Sequence, residues 1–182
     1  MMVAIFFLSL FALAIILLIG LRLYSARKRT MSKAGGSGED KDVIGISVGL
    51  EIDDKRSLYV LLGADGSINR LGTGTLDNAE TGLFIGVTSP AVFESVRSHV
   101  SSEMWPLLGH TFNVKNPVGA SCKLTILFQF KDGSSSGFIF HYGAESEGPP
   151  KEIAELVTAA VRATDPWYEE FKKSVARKGS ST

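Results

Sequence analysis

Histidine and cysteine are the residues of this chain best suited to metal binding or nucleophilic chemistry, and there are few of them. The 182 residues include three histidines, His99, His110 and His141, and one cysteine, Cys122. No two histidines have the His-x-x-x-His spacing that places two imidazoles on one helical face. A zinc or iron site would therefore need His110, His141 and a distant acid such as Asp132, and we expect no metal site.

A cysteine nucleophile would have to be Cys122, with His110 or His141 as its base. Such cysteines are usually activated at a helix N-terminus or in a sharp turn. Cys122 instead opens an alternating apolar run that is typical of a strand, so it is predicted to be a small buried residue. Its neighbour Ser121 lacks the Gly-x-Ser-x-Gly turn that exposes a hydrolase nucleophile.

Phosphate and cation sites are also poorly supported. Residues 72–75, Gly-Thr-Gly-Thr, lack the third glycine, the lysine and the following helix of a phosphate-binding loop. The acidic pairs Asp53-Asp54 and Glu145-Ser146-Glu147 lack the regular oxygen spacing of calcium loops, so they are interpreted as solvated turns. We therefore predict no cofactor.

The strongest feature of the chain lies at its beginning. Residues 1–21 are uncharged and almost entirely apolar, and at about 1.5 Å per residue they would span roughly 31 Å as a helix. A cleavable signal peptide would have a basic start, a shorter apolar run and a small-x-small cleavage site, and all three features are poor here. Residues 1–22 are therefore predicted to be a retained transmembrane anchor.

Basic and aromatic residues follow the anchor directly. Five Lys or Arg come just after the apolar run and none precedes it, a bias that places the C-terminal part in the cytoplasm. Tyr24 suits the headgroup level, and the bases suit an anionic lipid surface. The predicted contacts with the bilayer, within residues 1–33, are Arg22, Tyr24, Arg27, Lys28, Arg29 and Lys33.

The charge distribution limits the class of partner. Beyond residue 33 there are 14 of the 19 Lys and Arg but all 19 Asp and Glu, which gives a net charge of −5. Nucleic acid is therefore not an expected partner, because phosphate binding needs clustered bases on one surface. The single cysteine cannot form an intramolecular disulfide, as is usual for a cytoplasmic protein.

Composition divides the chain after the anchor into three parts. Residues 23–42 form a basic juxtamembrane segment and a linker rich in Gly and Ser, which is predicted to be flexible. Residues 43–175 form one globular domain, and residues 176–182 a disordered tail. In the domain, alternating apolar residues predict strands near residues 44–52, 58–62, 68–71, 83–87, 124–130 and 138–142, and leave open a further short strand at 112–115.

Two or three helices are predicted to pack on one face of the sheet. Ser89-Pro90 starts a helix whose apolar residues continue to Met104, and residues 153–161 form a second helical stripe. Asp165-Pro166 is expected to start a short final helix. The fold class is α+β, with an antiparallel sheet of about five to six strands; the pattern is also compatible with a duplicated strands-then-helix unit.

The function we favour is a non-catalytic binding or scaffolding domain on the cytoplasmic surface of a membrane, with a protein as its partner. The exposed edge of the sheet or the polar loops at residues 72–82 and 144–149 would contact that partner. One alternative is a membrane-tethered enzyme that uses His110, His141 and Cys122. Another is an extracytoplasmic domain of an envelope assembly, which would require an inverted anchor.

Overall fold

A computed structural model describes residues 42–75 and 82–179. These residues form one seven-stranded sheet in the order β4-β3-β2-β1-β6-β7-β5. The strands are β1 (Val43–Ile52), β2 (Lys55–Gly63), β3 (Ser67–Leu71), β4 (Phe84–Val87), β5 (Thr111–Asn113), β6 (Ser121–Phe130) and β7 (Ser135–Gly143).

The sheet is mixed, and in this respect the prediction was wrong. β5 lies parallel to β7, with Thr111 opposite Ile139, whereas every other neighbouring pair is antiparallel. The count of seven strands also exceeds the predicted five to six. The reason is topological: the β6–β7 hairpin inserts between β1 and β5, and a strand as short as β5 carries no sequence signal for the direction of its partner.

Two α-helices and one 3₁₀ helix complete the domain. They are α1 (Pro90–Arg97), the 3₁₀ helix (Ser102–Leu107) and α2 (Lys151–Gly179). α1 begins as predicted, because the Ser89 hydroxyl accepts a hydrogen bond from the Ala91 N–H and Pro90 occupies the first turn. The α+β class with helices beside a sheet is confirmed.

The helix that was predicted to continue to Met104 is interrupted. α1 ends at Arg97, and Met104 reaches the core from the 3₁₀ helix. The Ser98 hydroxyl donates to the Ser95 carbonyl oxygen at 2.7 Å. Serine side chains compete with the backbone in this way, and this weakens the helix at the point where it ends.

The separate helix expected after Asp165 does not form, since α2 continues through Pro166 to Gly179. Proline has no N–H to donate to the Arg162 carbonyl, which usually ends or kinks a helix. Packing compensates here, because Thr164 and Tyr168 on either side of Pro166 are both buried. α2 ends within the segment that was predicted to be a disordered tail.

The core lies between the helices and one face of the sheet, called here the covered face. Its apolar residues follow the period of two that the sequence shows, apart from one shift at the start of β1. The register slips between Val43 and Gly45, so Val43 is buried and Ile44, which was predicted to face the core, is only half-buried. The bulge adds one residue and reverses the direction of the side chain.

The two segments of the suggested duplication occupy unlike positions. β4 is an edge strand that pairs only with β3 among the described residues, whereas β7 lies between β6 and β5. The anchor at residues 1–22, the linker as far as residue 41 and the end of the tail lie outside the described residues. Within residues 42–75 and 82–179, no helix is long and apolar enough to cross a membrane.

Candidate functional site

The side of the sheet opposite the core, called here the open face, carries unusually small residues at its centre. β1 is the middle strand, and its side chains on this face are Gly45, Ser47 and Gly49, followed by Glu51. A Cβ added to Gly49 would meet no atom within 4 Å, so the space above it is empty among the described residues. At Gly45 the Gln129 side chain of β6 lies 3.1 Å from where a Cβ would be, so the open face has a trough that is open at Gly49 and narrowed by Gln129 at Gly45.

Part of the trough forms a groove with a volume of about 420 Å³. Its walls include Leu61 and Gly63 of β2 on one side and Leu127 and Gln129 of β6 on the other, with Ser47 between them. Leu127 is 43% exposed, although it lies on a central strand of the sheet. Leu127 and Leu61 lie on opposite sides of Ser47, so the groove offers apolar side chains on both of its walls.

The charged groups around the groove are few and are already bonded. At one end, the Asp65 carboxylate accepts a hydrogen bond of 2.9 Å from the Ser67 N–H, which lowers the pKa of Asp65. Further along β1, Glu51 pairs with Lys123 at 3.0 Å, and Lys123 lies opposite His141. The groove offers apolar contacts and backbone groups more than charge.

The candidate nucleophile and its bases are not brought together. Cys122 is buried on the covered face, and its thiol donates to the Ala120 carbonyl oxygen at 3.6 Å. His141 lies on the open face opposite Lys123, so the sheet separates the two side chains. His110 lies beside the Phe112 ring. Its position is about four residues, or about 13 Å, along the strands from that of Cys122.

The thiol of Cys122 is also poorly suited to attack. Burial raises its pKa, and the negative charge of Asp53 raises it further. A catalytic cysteine needs the opposite, since the thiolate is the reactive form. The N–H of the neighbouring Ser121 donates a hydrogen bond of 2.9 Å to the Asp53 carboxylate. This bond helps to hold the turn between β1 and β2.

The candidate metal ligands lie far apart. Asp132 lies in the β6–β7 turn and accepts hydrogen bonds from Ser134, while His141 lies more than about 20 Å further along β7. His99 is exposed in the turn after α1, with its Nδ1 at 3.0 Å from the Ser95 carbonyl oxygen. Across residues 42–75 and 82–179, no three metal-binding side chains form a group.

The Gly-Thr-Gly-Thr segment has no free cradle for a phosphate. The Gly72 N–H donates to the Tyr168 hydroxyl at 3.1 Å, and the Gly74 N–H donates to the Ser57 carbonyl at 2.9 Å. Both glycines have positive φ, so they shape a turn against α2 and β2. Asp53 and Asp54 likewise have positive φ and form the β1–β2 turn.

One of the two loops proposed as partner contacts is tied to the domain. The Ser146 hydroxyl accepts a hydrogen bond of 2.6 Å from the Val118 N–H, and the Glu145 N–H donates to the Val118 carbonyl. These hydrogen bonds hold the loop at residues 144–149 against the turn before β6. The loop at residues 72–82 falls partly outside the described residues.

The sequence reasoning missed a buried arginine, Arg70 of β3, which is 1% exposed. Its guanidinium donates to the Gly72 carbonyl at 3.0 Å, to the Thr164 hydroxyl at 2.7 Å and to the Asp165 carboxylate at 3.1 Å. It also lies 5.2 Å from the centre of the Tyr168 ring. Arg70 joins β3 to α2. Arg70 lies two residues after the buried Ile68, so the period of two along β3 could have placed it on the core side.

The aromatic residues of the β6–β7 hairpin belong to the core. Phe128, Phe130, Phe138 and Phe140 are buried, and Trp105 of the 3₁₀ helix lies across the rings of Phe128 and Phe130. The predicted bilayer contacts, from Arg22 to Lys33, lie outside the described residues.

Comparisons with known proteins add no family. No protein-family model matches the chain, and neither the curated proteins nor the solved structures contain a match.

Proposed function

We propose that the chain is a membrane-anchored, non-catalytic binding module, and that its partner is a polypeptide segment with uncharged, apolar side chains that binds along the trough of the open face. The observation that supports this proposal is the row Gly45, Ser47 and Gly49 at the centre of the sheet. The small side chains of Ser47 and Gly49 let a ligand approach the backbone closely, while Leu61 and Leu127 supply apolar contacts on both sides.

The chemistry of the face favours a polypeptide over other ligands. The charged pair Glu51–Lys123 is already neutralised, and residues 34–182 carry a net charge of −5, so a polyanion gains little there. The groove is an open channel on a flat sheet, whereas small-molecule sites usually enclose most of their ligand. An extended or helical segment with apolar side chains fits a channel of this kind.

The predicted anchor gives the module its location. Residues 1–22 and the five bases behind them place the domain at the cytoplasmic surface of a membrane in this proposal. Protease digestion of sealed membranes tests it: the domain should be protected in intact cells and digested in inverted vesicles. Digestion in intact cells would support the extracytoplasmic alternative instead.

A site-specific photo-crosslinker tests the binding surface. Placed at Ser47 in the full-length chain in membranes, it should give a discrete product with another protein. The matched control is the same group at Ser95, a serine on the exposed side of α1. Products that form equally at both positions would contradict the proposal.

A second variant separates loss of binding from loss of folding. Gly49→Leu should abolish the Ser47 product, because it fills the trough where an added Cβ meets no neighbour within 4 Å. The unfolding temperature should not fall, since a strand glycine is itself unfavourable by about 0.5–1 kcal/mol relative to alanine. A Ser47 product that persists in this variant would count against the open face as the binding surface.

A further inference from the structure

The outer edge of β4 is the most apolar exposed part of the described chain. Leu83, Ile85 and Val87 are 47%, 63% and 74% exposed, and all three alternate along one short segment. The segment from Leu83 to Val87 contains no charged residue and no proline. Among the described residues, no strand lies beyond β4. Natural edge strands are often very short, or carry a charge, a proline or a bulge that prevents pairing; β4 has only four residues but none of the other three features.

The backbone of β4 is oriented for pairing. The Thr88 N–H donates to the Gly66 carbonyl at 2.8 Å, in the same register that places Gly86 opposite Ile68 and Phe84 opposite Arg70. Bonding groups alternate along an antiparallel strand, so the N–H and C=O groups of Ile85 and Val87 point away from β3. The outer edge therefore offers the donors and acceptors that a further strand requires.

We infer that β4 pairs with β4 of a second copy of this chain, antiparallel about a two-fold axis at Ile85. In that register Ile85 faces its own copy, Leu83 faces Val87 of the second copy, and Phe84 faces Gly86 of the second copy. The residues with outward backbone groups then lie opposite one another, as a hydrogen-bonded antiparallel ladder requires. On the open face, Leu83, Ile85 and Val87 form a continuous apolar row across the axis.

The covered side of β4 fits the same register. A Cβ at Gly86 would lie 2.7 Å from Trp167 of α2, and Phe84 packs at 5.4 Å from the rings of both Tyr168 and Phe171. A large residue opposite a glycine avoids a clash between two Phe84 rings at the axis. Trp167 and Phe171 are half-buried in the single chain, and the second copy would cover them further. The inference does not depend on the partner proposed for the open face.

A second copy is favoured over an unrelated peptide because the edge is self-complementary. In the antiparallel register its apolar ends, Leu83 and Val87, lie opposite each other, and Phe84 lies opposite Gly86. The segment from Leu83 to Val87 has no charge that would repel the same segment of a second copy. A two-fold axis uses the same patch twice, so one unprotected edge is closed by one partner and the assembly stops at two chains.

Cysteine crosslinking of the full-length chain in membranes tests the register. With Cys122 replaced by Ala, Ile85→Cys should form an oxidised species of twice the 19.6 kDa chain mass, because a hydrogen-bonded cross-strand pair has Cα atoms about 5.5 Å apart, within the range of a disulfide. Thr111→Cys on β5, the other edge strand, is the matched control and should give at least tenfold less.

Two further variants distinguish a defined register from random collision. Val87→Cys alone should crosslink poorly, because the two copies of residue 87 lie four residues apart along the strands, about 13 Å. A mixture of Leu83→Cys chains and Val87→Cys chains should crosslink well. Equal crosslinking at all positions, or products only with a different protein, would overturn the inference.

Mass measurement in detergent gives an independent result. The full-length chain should contain two copies per particle, and Ile85→Lys should reduce this to one, because two lysines would meet at the axis. Thr111→Lys should leave two copies. A wild-type particle with a single chain, together with no excess crosslinking at Ile85→Cys, would show that β4 does not pair.

Discussion

The two edges of the sheet are built differently. At one edge, β5 has three residues, its outer side chains Thr111 and Asn113 are polar, and the chain turns away through Asn116 with positive φ. At the other edge, β4 exposes Ile85 and Val87. Both edge strands are short, but only β5 has the polar side chains that discourage pairing.

The edges are also attached to the domain by different means. β5 is held by nearby backbone bonds, including Val114 N–H to the His141 carbonyl at 2.9 Å, and by Phe112, which stacks on Phe140 at 4.8 Å. The β3–β4 edge depends on side chains from α2, whose Thr164 and Asp165 lie 94 and 95 residues after Arg70. The β5 edge is therefore held by contacts with the neighbouring strand β7, whereas the β3–β4 edge is held by side chains of a helix that is distant in sequence.

The largest expected effect of breaking this arrangement comes from Arg70→Met. The loss of the guanidinium leaves the Thr164 hydroxyl and the Gly72 carbonyl without this donor, and we expect a loss of at least about 2 kcal/mol in the free energy of unfolding. Denaturant unfolding measures it. Hydrogen exchange should rise in β3 and β4 more than in β5.

The control is Arg56→Met on β2, where the arginine is exposed and only lies over the Tyr59 ring at 5.6 Å. Its effect on the free energy of unfolding should stay within about 0.5 kcal/mol. Equal losses in the two variants would mean that Arg70 does not join β3 to α2 in the way described.

A smaller loss is expected from Gly86→Val at the β4 edge. The new Cβ would lie 2.7 Å from Trp167, so the helix or the strand must shift, at a cost of about 1–3 kcal/mol in the free energy of unfolding. Gly49→Val is the matched control on β1, where the space is empty, and it should be neutral or slightly stabilising. Thermal unfolding of the two variants side by side makes the comparison; the same loss in both would contradict the close packing of α2 on β4.

The smallest expected effect concerns Cys122, two strands from the β5 edge. Burial and then Asp53 raise the pKa of its thiol, so alkylation at pH 8 should be much slower than for an exposed cysteine such as Ser95→Cys. Asp53→Asn, which keeps a side chain suited to the positive φ, should speed alkylation by less than about tenfold, because one partly solvated charge is worth about 1 kcal/mol or less.

The same raised pKa has a consequence for stability. Since the folded thiol holds its proton more strongly than the unfolded one, the contribution of Cys122 to stability is complete below the pKa of the unfolded thiol. It is lost as the pH rises through the pKa of the folded thiol. Stability that increased over this alkaline range in the wild type, relative to Cys122→Ala, would contradict the assignment.

Several elements could be predicted from local patterns because the signal lies within a few residues. The alternation in Leu124, Ile126 and Phe128 marks β6, and Ser89-Pro90 marks the start of α1. The aromatic face of the β6–β7 hairpin follows from the same alternation. In each case, the residues that form the contact are neighbours in sequence or on one strand.

The features that could not be predicted depend on residues far apart in the chain. The continuity of α2 through Pro166 depends on the packing of Tyr168 under Phe84 and Arg70, and the position of Arg70 depends on Thr164 and Asp165. The candidate trough is invisible in the sequence for the same reason. The small residues of β1 form a site only because β2 and β6 place Leu61 and Leu127 on either side of Ser47.

The amino-acid sequence by itself determined the class of the fold, the covered face of most strands and the start of α1, because apolar periodicity and capping act over a few residues. It also carries the prediction of an anchor at residues 1–22. Only the tertiary structure decided which strands lie at the edges and which small residues share a face. Strand order is set by contacts between distant segments, and no local pattern records it.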